Sequence, residues 1–292
     1  MRPAATVIYD APGPRARARH HALTVMALLA AGLLCWTIFD RLAAKGQLTA
    51  EKWTPFLTAD LWRTYVLPGV AGTLTAAAWS IALALILGVG LGVGRLSRIG
   101  PVHWTCAVLV EFFRAIPVLI MMIFAFFVYG TLGVFPPQQI ALAGVVTGLT
   151  LYNGAVIAEI VRAGVYGLPG GQSEAAAALG LSWGTSMRLV QLPQAVTAML
   201  PVLVSQLVVV LKDTAIGYQI TYVEMVRQGT VVGSQYRNYL PALLVIAVLM
   251  IAGNMVLSAA ATGLERRLRR ARHQALEAAA IEPEGTPGAR VR

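Results

Sequence analysis

Long uncharged, apolar runs alternate with short polar segments along this chain, and the runs have the length of membrane helices. A bilayer core about 30 Å thick is crossed by about 20 helical residues. The runs occupy 22–39, 66–94, 115–158, 189–211 and 241–264. The uncharged stretch 115–158 is long enough for two spans, with a turn near Gly130, Gly133, Pro136 and Pro137. The pattern predicts an all-α, polytopic membrane protein with six transmembrane helices.

The composition agrees with a membrane protein. Charged residues make up 12% of the chain and hydrophobic residues 57%, whereas a soluble domain carries roughly 25% charged residues. The net charge is +10, which is compatible with nucleic-acid binding in a soluble protein. Here the basic residues lie in tails and loops, where positive-inside bias places them, so they indicate membrane topology and no nucleic-acid partner.

The basic residues also predict the orientation. With the N-terminus in the cytoplasm, fifteen basic residues fall inside and six outside. The inside set is Arg2, Arg15, Arg17, Arg19, Arg95, Arg98, Arg162, Arg188 and seven arginines from Arg266 onward, and the outside set is Arg41, Lys45, Lys52, Arg63, Arg227 and Arg237. We expect cytoplasmic tails at 1–21 and 265–292 and an extracellular linker at 41–65. Residues 1–20 and 271–292 have the composition of disordered segments.

The first apolar run has two interpretations. Arginines precede it, as in a secretory signal peptide. Its 18 uncharged residues exceed the usual apolar core of a signal peptide, about 7–15 residues. We therefore favour a retained extra transmembrane helix at 22–40 over a cleaved signal.

Glycines alternate along the second run at Gly88, Gly90, Gly92 and Gly94. Gly88 with Gly92, and Gly90 with Gly94, each have the spacing that lets two membrane helices approach closely. Both pairs are therefore candidates for helix packing. The two cysteines, Cys35 and Cys106, are expected to act as small apolar residues.

The segment between the fourth and fifth spans, here called loop 162–195, is unusually long for an internal connection. Ser173 is a candidate N-cap for a short helix rich in alanine, and Gly180 is a candidate left-handed C-cap. A second amphipathic helix is expected from Ser182 to Val190, with Pro193 ending it. Two short helices around a glycine suit either a docking element for a partner or an interfacial hairpin without one.

This loop carries a family motif. Glu174, Ala175 and Ala176 precede Gly180 at a fixed distance, and Val190, Leu192 and Pro193 follow in order. The spacing resembles the EAA loop of the permeases of binding-protein-dependent ABC importers, and it departs from that pattern only by Val190 in place of isoleucine. Arg188 belongs to the same loop.

Further segments are similar to the polar amino-acid permeases of this family. They are Glu111–Arg114 with Pro117, and 211–214 at the end of the fifth span. The resemblance extends over about 69–263, and the flanks at 5–14, 46–48, 52–56 and 213–220 resemble permeases of actinobacterial glutamate uptake systems. It implies a type I importer permease domain of five helices at 66–264.

The resemblance also implies partners. In such importers the EAA loop inserts into a cleft of the ATP-binding subunit, which works as a dimer and holds ATP and Mg. A solute-binding protein delivers the substrate from outside, and a sister permease completes the path. We therefore expect a heterodimer of permeases in the plasma membrane that imports a polar amino acid, with glutamate as the leading candidate.

The chain lacks the sequence of a phosphate-binding loop. Such a loop places Ser or Thr after a lysine, but the three lysines are followed by Gly46, Trp53 and Asp213. ATP hydrolysis is therefore expected in a separate subunit, with no cofactor, metal or catalytic residue in this chain.

Polar residues within the spans are candidates for the substrate path because burying them in lipid is costly. Asn153 lies mid-membrane, and its amide can both donate and accept hydrogen bonds. Gln206, Lys212, Asp213 and Thr214 are expected to join it along the fifth span. Lys212 with Asp213 is equally open to interpretation as a pair that neutralises itself.

Two further pairs are expected to be structural. Glu111 with Arg114, and Glu159 with Arg162, are each three residues apart and so share a helix face. A role in transport stays open for both pairs. Other classes considered are a secondary transporter or channel, which usually shows internal repeats, and a membrane-embedded enzyme. The sequence shows neither a convincing repeat nor a catalytic motif.

Overall fold

The computed structural model describes residues 13–281, and all the regular structure in this range is helical. The chain divides into two units, Met1–Thr58 and Ala59–Arg292. In the first unit, helix α1 spans Pro14–Ala44 and α2 spans Ala50–Trp53, followed by a 3₁₀ turn at Thr54–Leu57. The expectation of disorder is wrong for 14–20, because proline suits the first helical turn and alanine and arginine favour helix. Residues 1–12 lie outside the described range.

The second unit contains the remaining helices, which range from short turns to full membrane spans. In order they are α3 (Ala59–Leu61), a π-helical turn (Trp62–Val66), α4 (Leu67–Arg95), α5 (Gly100–Ala115), α6 (Val118–Leu132), α7 (Pro137–Tyr166), α8 (Gly171–Ala178), α9 (Trp183–Ser186), a π-helical turn (Met187–Gln191), α10 (Leu192–Asp213), a 3₁₀ turn (Thr214–Ile220), α11 (Met225–Gln235) and α12 (Tyr239–Ile281). The helix of α12 continues through 271–281, where disorder was expected, because alanine, arginine and leucine favour helix. Residues 282–292 are outside the description.

Six membrane spans agree with the prediction if one bent pair is counted as a span. Five described helices are long and apolar enough to cross a bilayer. The second begins at Ala59 rather than at residue 66, because Asp60 and Arg63 end the uncharged run without ending the helix. The predicted turn after the third span is present, with Gly133 at φ +63° and Pro137 at the start of α7. Gly130 lies within α6.

The bent pair is α5 and α6, whose axes differ by 99°. Ile116 and Pro117 form the break, both with extended backbone. Pro117 cannot donate a backbone hydrogen bond, and the residue before a proline is disfavoured in helical conformation. The apolar run that begins at 115 predicts a third span there, and α6 begins at Val118. Helix α5 precedes that run and is an element that the hydrophobic pattern missed.

Two π-helical turns are each followed by Leu-Pro. The amide of Leu67 donates to the carbonyl of Trp62, and that of Leu192 donates to the carbonyl of Met187. A proline ring normally clashes with the carbonyl four residues before it. The wider turn relieves that clash, so the helix runs on and α10 continues through Pro193. The prediction that Pro193 ends the second loop helix is therefore wrong.

Helices α4 and α7 pack closely through glycines. A Cβ atom on Gly88 would lie 2.6 Å from Ile157, and one on Gly92 would lie 2.8 Å from Val161. A Cβ on Gly94 would meet Cys106, whereas Gly90 faces open space. The close approach of a neighbouring helix is confirmed at Gly88, Gly92 and Gly94, and the expectation is wrong for Gly90.

The glycines of α4 allow a matched test. Gly88→Ala and Gly92→Ala are each expected to lower the thermal unfolding temperature in detergent, because overpacking a tight contact costs about 1–3 kcal/mol. Gly90→Ala is the control and should leave that temperature unchanged or slightly higher, since alanine favours helix. Equal losses at all three positions would contradict the packing assignment.

Candidate functional site

Loop 162–195 forms two short helices around a glycine. Helix α8 ends at Ala178, and Gly180 follows with φ +74°, a left-handed conformation that favours glycine. The Ser182 hydroxyl then accepts a hydrogen bond from the Thr185 amide at 3.3 Å and caps α9. The predicted helix–glycine–helix arrangement is therefore present.

The start of α8 differs from the prediction. The helix begins at Gly171, so Ser173 lies within its first turn, and the Ser173 hydroxyl donates to the Gly170 carbonyl at 3.0 Å. The serine therefore supports the turn before the helix and is not its N-cap. Glu174 stays in the first turn, where a carboxylate is favourable.

One face of the loop is open and the other is anchored. Glu174, Ala175, Gly180, Arg188 and Pro193 are exposed, and Leu179 is 79% exposed. Ala176 is buried at 3%, and Val190 and Leu192 are half-buried. The motif residues are thus divided between a surface available for contact and positions that hold the loop in place.

The anchored face joins the helix bundle. Met187 is 4% exposed and packs in one cluster with Val165 of α7 and Met199 of α10, while Trp183 and Leu96 pack against the same cluster. A cavity of about 260 Å³ lies beside it, lined by Tyr166, Gln172 and Gln191 among others. We call this the loop end of the bundle. The loop therefore packs directly against α4, α7 and α10.

Five charged side chains form a single network near the loop end, here called the Arg95 network. Arg95 Nη1 donates to Glu159 Oε2 at 2.7 Å, and Arg95 Nη2 donates to Glu111 Oε1 at 3.3 Å. Arg162 Nε donates to Glu159 Oε1 at 3.1 Å, and Arg114 Nη1 lies 3.8 Å from Glu111 Oε1. The two expected ion pairs are therefore present, but Arg95 joins them across α4, α5 and α7.

Arg95 is a residue that the sequence interpretation missed, because it was counted only as a loop charge. Its side chain is 13% exposed, and its carbonyl oxygen lies 2.6 Å from His103 Nδ1. The sequence contains one indication of the network. Arg95, Glu111 and Glu159 all lie at ends of predicted spans on the same side of the membrane. Because these span ends lie at the same depth in the membrane, the three charged side chains can come together.

Two of the expected path residues meet in the bundle centre. Gln206 Nε2 donates to Asn153 Oδ1 at 2.7 Å, and Asn153 Nδ2 donates to the Leu149 carbonyl at 2.9 Å. Asn153 is fully buried, whereas Gln206 is half-buried. Gln206 is therefore the more accessible member of this pair, and Asn153 fixes the position of its amide.

The end of α10 differs from expectation. The Lys212 side chain is 65% exposed and that of Asp213 only 16%, with Nζ and Oδ1 3.8 Å apart. A buried lysine was expected. A residue one position from 213 is rotated by about 100° on a helix, so Asp213 shares the inward face of Gln206 and Lys212 points away. The Thr214 hydroxyl donates to the Leu211 carbonyl at 2.7 Å and so faces its own helix.

The far end of the bundle, opposite the loop end, is closed by the segment before α11. The Tyr222 hydroxyl donates to the Gly72 carbonyl at 2.7 Å, and the Met225 amide donates to Thr73 Oγ1 at 3.2 Å. A Cβ on Gly72 would lie 1.9 Å from the Val223 carbonyl oxygen. The backbone of this segment therefore rests directly on α4.

Glu224 is a buried acid in this far-end segment. Its carboxylate is fully buried and accepts hydrogen bonds from the amides of Val226 and Arg227, which caps α11. Burial raises the pKa of Glu224 to about 7, although the two amides oppose the shift. Burial, together with the nearby Glu224 charge, also raises the pKa of Tyr222 to about 12. Sequence reasoning did not select Glu224.

Comparison with known proteins places the chain among transporters. Residues 84–270 match the family described as binding-protein-dependent transport system inner membrane component. The chain is 54% identical over 231 residues to the glutamate transport system permease protein GluD of Corynebacterium glutamicum, covering 79% of this chain and 85% of that one. It is 32% identical over 176 residues to the glutamate/aspartate import permease protein GltK of Escherichia coli O157:H7, covering 59% and 79%.

A solved structure agrees with these relatives. The crystal structure of an amino acid ABC transporter with histidines contains a chain of similar fold, with a TM-score of 0.62 and 27% identity. The match covers 69% of this chain and 92% of that one.

Proposed function

Because this chain belongs to the family of inner-membrane components of binding-protein-dependent transport systems, we propose that it is the permease subunit of an importer that carries glutamate into the cell. The assignment of glutamate as the substrate rests on the 54% identity with a glutamate permease over 85% of that protein's length. The flanking resemblance in the first 60 residues supports the same substrate. This chain forms part of the transport path, and a separate subunit hydrolyses ATP.

The geometry supports coupling through loop 162–195. Its open face offers small and apolar residues around Gly180, which suit a groove on a partner protein. Its anchored face reaches the bundle through Met187. The proposed partner is a dimer of ATP-binding subunits that holds ATP and Mg, and closure of that dimer would move α4, α7 and α10 together.

The topology follows from this assignment. The loop end lies on the cytoplasmic side with both termini, and the far end faces an extracellular solute-binding protein. The proposed domain limits are a cytoplasmic tail at 1–21, an extra helix at 22–40, an outer linker at 41–65, the permease domain at 66–264 and a basic cytoplasmic tail at 265–292. The positive-inside balance supports this arrangement.

The exposed face of α10 supports a second permease subunit. Ser205 and Lys212 lie on this face, two helical turns apart. A lysine that faces lipid within a span carries an energetic cost, which reaches about 2.5–3.5 kcal/mol at the helix centre on insertion scales. A path between two permeases avoids that cost and places Lys212 opposite a substrate carboxylate. A sister permease is the proposed occupant, as the resemblance implies.

Uptake by vesicles tests the function. The complete importer, reconstituted with ATP inside, should accumulate labelled glutamate, and unlabelled glutamate should compete better than glutamine, aspartate or arginine. Stronger competition by arginine or glutamine would contradict glutamate as the substrate but would leave the importer assignment intact. Accumulation without ATP or an ATPase partner would favour a secondary transporter.

Two substitutions test the path. Asn153→Ala and Lys212→Met are each expected to reduce uptake at least tenfold without loss of membrane insertion, because one frees the Gln206 amide and the other removes a charge facing the path. Lys45→Met, at the exposed C-cap of α1, is the control and should retain uptake. Normal transport by both variants would remove these residues from the path.

A further inference from the structure

The Arg95 network contains one tight pair and one loose pair. Glu159 is held by Arg95 at 2.7 Å and by two Arg162 nitrogens, and its side chain is 26% exposed. Glu111 is held at 3.3 Å by Arg95 and lies 3.8 Å from Arg114, and its side chain is 62% exposed. Exposed ion pairs at such distances are readily replaced by water. The α5 side of the network is therefore the side that can separate.

The joint next to Glu111 is built to change its angle. Ile116 and Pro117 are the only residues between α5 and α6, and both are extended. Rotations at two such residues reorient a whole helix without disturbing either helix, which is how hinges act in other proteins. Glu111 lies five residues before Ile116, so a rotation there moves the carboxylate relative to Arg95.

A cavity occupies the inside of the bend. It measures about 390 Å³ and is lined by Phe113 and Ile116 near the joint, by Phe124 on α6 and by Leu151 on α7, among others. Phe124 in its lining is 71% exposed, so the cavity is open to the surface of the chain. The space allows α5 and α6 to change their angle without a steric clash.

The tight pair is connected to loop 162–195. The Arg162 guanidinium lies 5.3 Å from the centre of the Tyr166 ring, and Tyr166 lines the cavity next to Trp183 and Met187. Leu96, adjacent to Arg95, packs against the Met187 cluster. A movement of the loop therefore reaches the two arginines that hold Glu159, and through Arg95 it reaches Glu111.

We propose that Arg95 and Glu111 are positioning residues for transport, whose contact holds α5 against α4 and α7 and breaks in each cycle as α5 turns about Ile116–Pro117. This inference rests on the proposed importer function. Motion of the ATP-binding subunits then reaches α6 through a reversible ion pair, while the glycine-packed α4 and α7 move as one body.

The first experiment uses Glu111→Gln in the complete importer, with Glu111→Asp as the conservative variant. Glu111→Gln should lower uptake at least fivefold while the complex stays assembled and hydrolyses ATP without needing the binding protein. Glu111→Asp should restore at least half of the uptake. Arg98→Gln is the matched control, since Arg98 makes no ion pair among the side chains that the structure describes.

The second experiment measures the position of α5 directly. Spin labels at Val108→Cys on α5 and Ile86→Cys on α4, both exposed positions, are introduced after replacing Cys35 and Cys106 with alanine. The distance between labels should change on ATP binding, and in Glu111→Gln the distance without ATP should already move towards the ATP-bound value.

Three results would overturn the proposal. They are uptake by Glu111→Gln within twofold of the wild type, a loss of uptake that parallels loss of the assembled complex, and a label distance unaffected by ATP and by Glu111→Gln. An absence of ATP-dependent uptake in the wild type counts against the proposed function instead. In that case the effect of Glu111→Gln on the label distance still decides whether the ion pair holds α5.

Discussion

Replacing Gly180 with valine is expected to reduce glutamate uptake at least tenfold. The residue has φ +74°, and a left-handed conformation costs an L-residue roughly 1–2 kcal/mol, more when the side chain is β-branched. No atom lies within 4 Å of a Cβ built at this position, so the penalty arises from the backbone and not from a clash. The loop would relax into another shape, and its open face would no longer fit the ATP-binding subunit.

Gly180→Asn is the control for this prediction. Asparagine tolerates the left-handed conformation, and its side chain is about as large as that of valine. It should retain most of the uptake and the co-purification of the ATP-binding subunit, both of which Gly180→Val should lose. Equal loss in the two variants would mean that the surface of the loop, and not its backbone conformation, is the sensitive property.

Folding stability is expected to fall as the pH rises from 5.5 to 8, and Glu224 should account for about 2 kcal/mol of that fall. The ordinary carboxyl pKa is 4.5, and burial raises that of Glu224 to about 7 in the folded protein. Between these values the folded state holds a proton that the unfolded state has released, so raising the pH disfavours folding. The contribution is present below pH 4.5 and is lost by the time the pH exceeds about 7.

Glu224→Gln removes the titrating group and keeps the shape of the side chain. The difference in unfolding temperature between pH 5.5 and pH 8, measured in detergent, should shrink in this variant. Glu51→Gln changes an exposed carboxyl in the first unit and is expected to leave the difference as in the wild type. A pH dependence that persists in Glu224→Gln would show that another group is responsible.

Much of the fold follows from the uncharged runs, because lipid tolerates few charges and the span length is fixed by the bilayer. The left-handed Gly180 was predictable, since a helix C-cap depends on chemistry that acts within a few residues. The predicted N-cap at Ser173 was wrong, and the cap at Ser182 was not predicted. Asn153 and Gln206 were also selected together, and they share a hydrogen bond. These features depend on local sequence or on the scarcity of polar groups in a span.

The incorrect predictions concern backbone and helix geometry, which the pattern of apolar and polar side chains does not record. Pro193 was expected to end a helix, but a wider turn at Met187–Gln191 removes the clash. The 99° bend at Pro117 lies at the start of the uncharged run 115–158, and hydropathy does not report the angle between a span and the helix before it. Lys212 was expected to be buried, but it is rotated by about 100° from the helix face that Gln206 and Asp213 share, and its side chain is 65% exposed.

Charge contacts between helices were the least predictable part of the site. Each ion pair within a helix can be identified from a spacing of three residues. The role of Arg95 requires knowledge that α4, α5 and α7 meet at the same depth. The packing of Gly88 and Gly92 against α7 sets the relative depth of α4 and α7. The glycine spacing in the sequence indicates that α4 can pack closely but does not identify the partner helix.

The short α6 has a consequence for the surrounding membrane. Its 15 residues measure about 22 Å along the helix axis, whereas a typical hydrocarbon core is about 30 Å thick. Because α5 turns away by 99°, it adds little height to this span. A span shorter than the hydrocarbon core is accommodated by local thinning of the bilayer or by association with another helix, so α6 is the span whose surroundings have to adapt to its length.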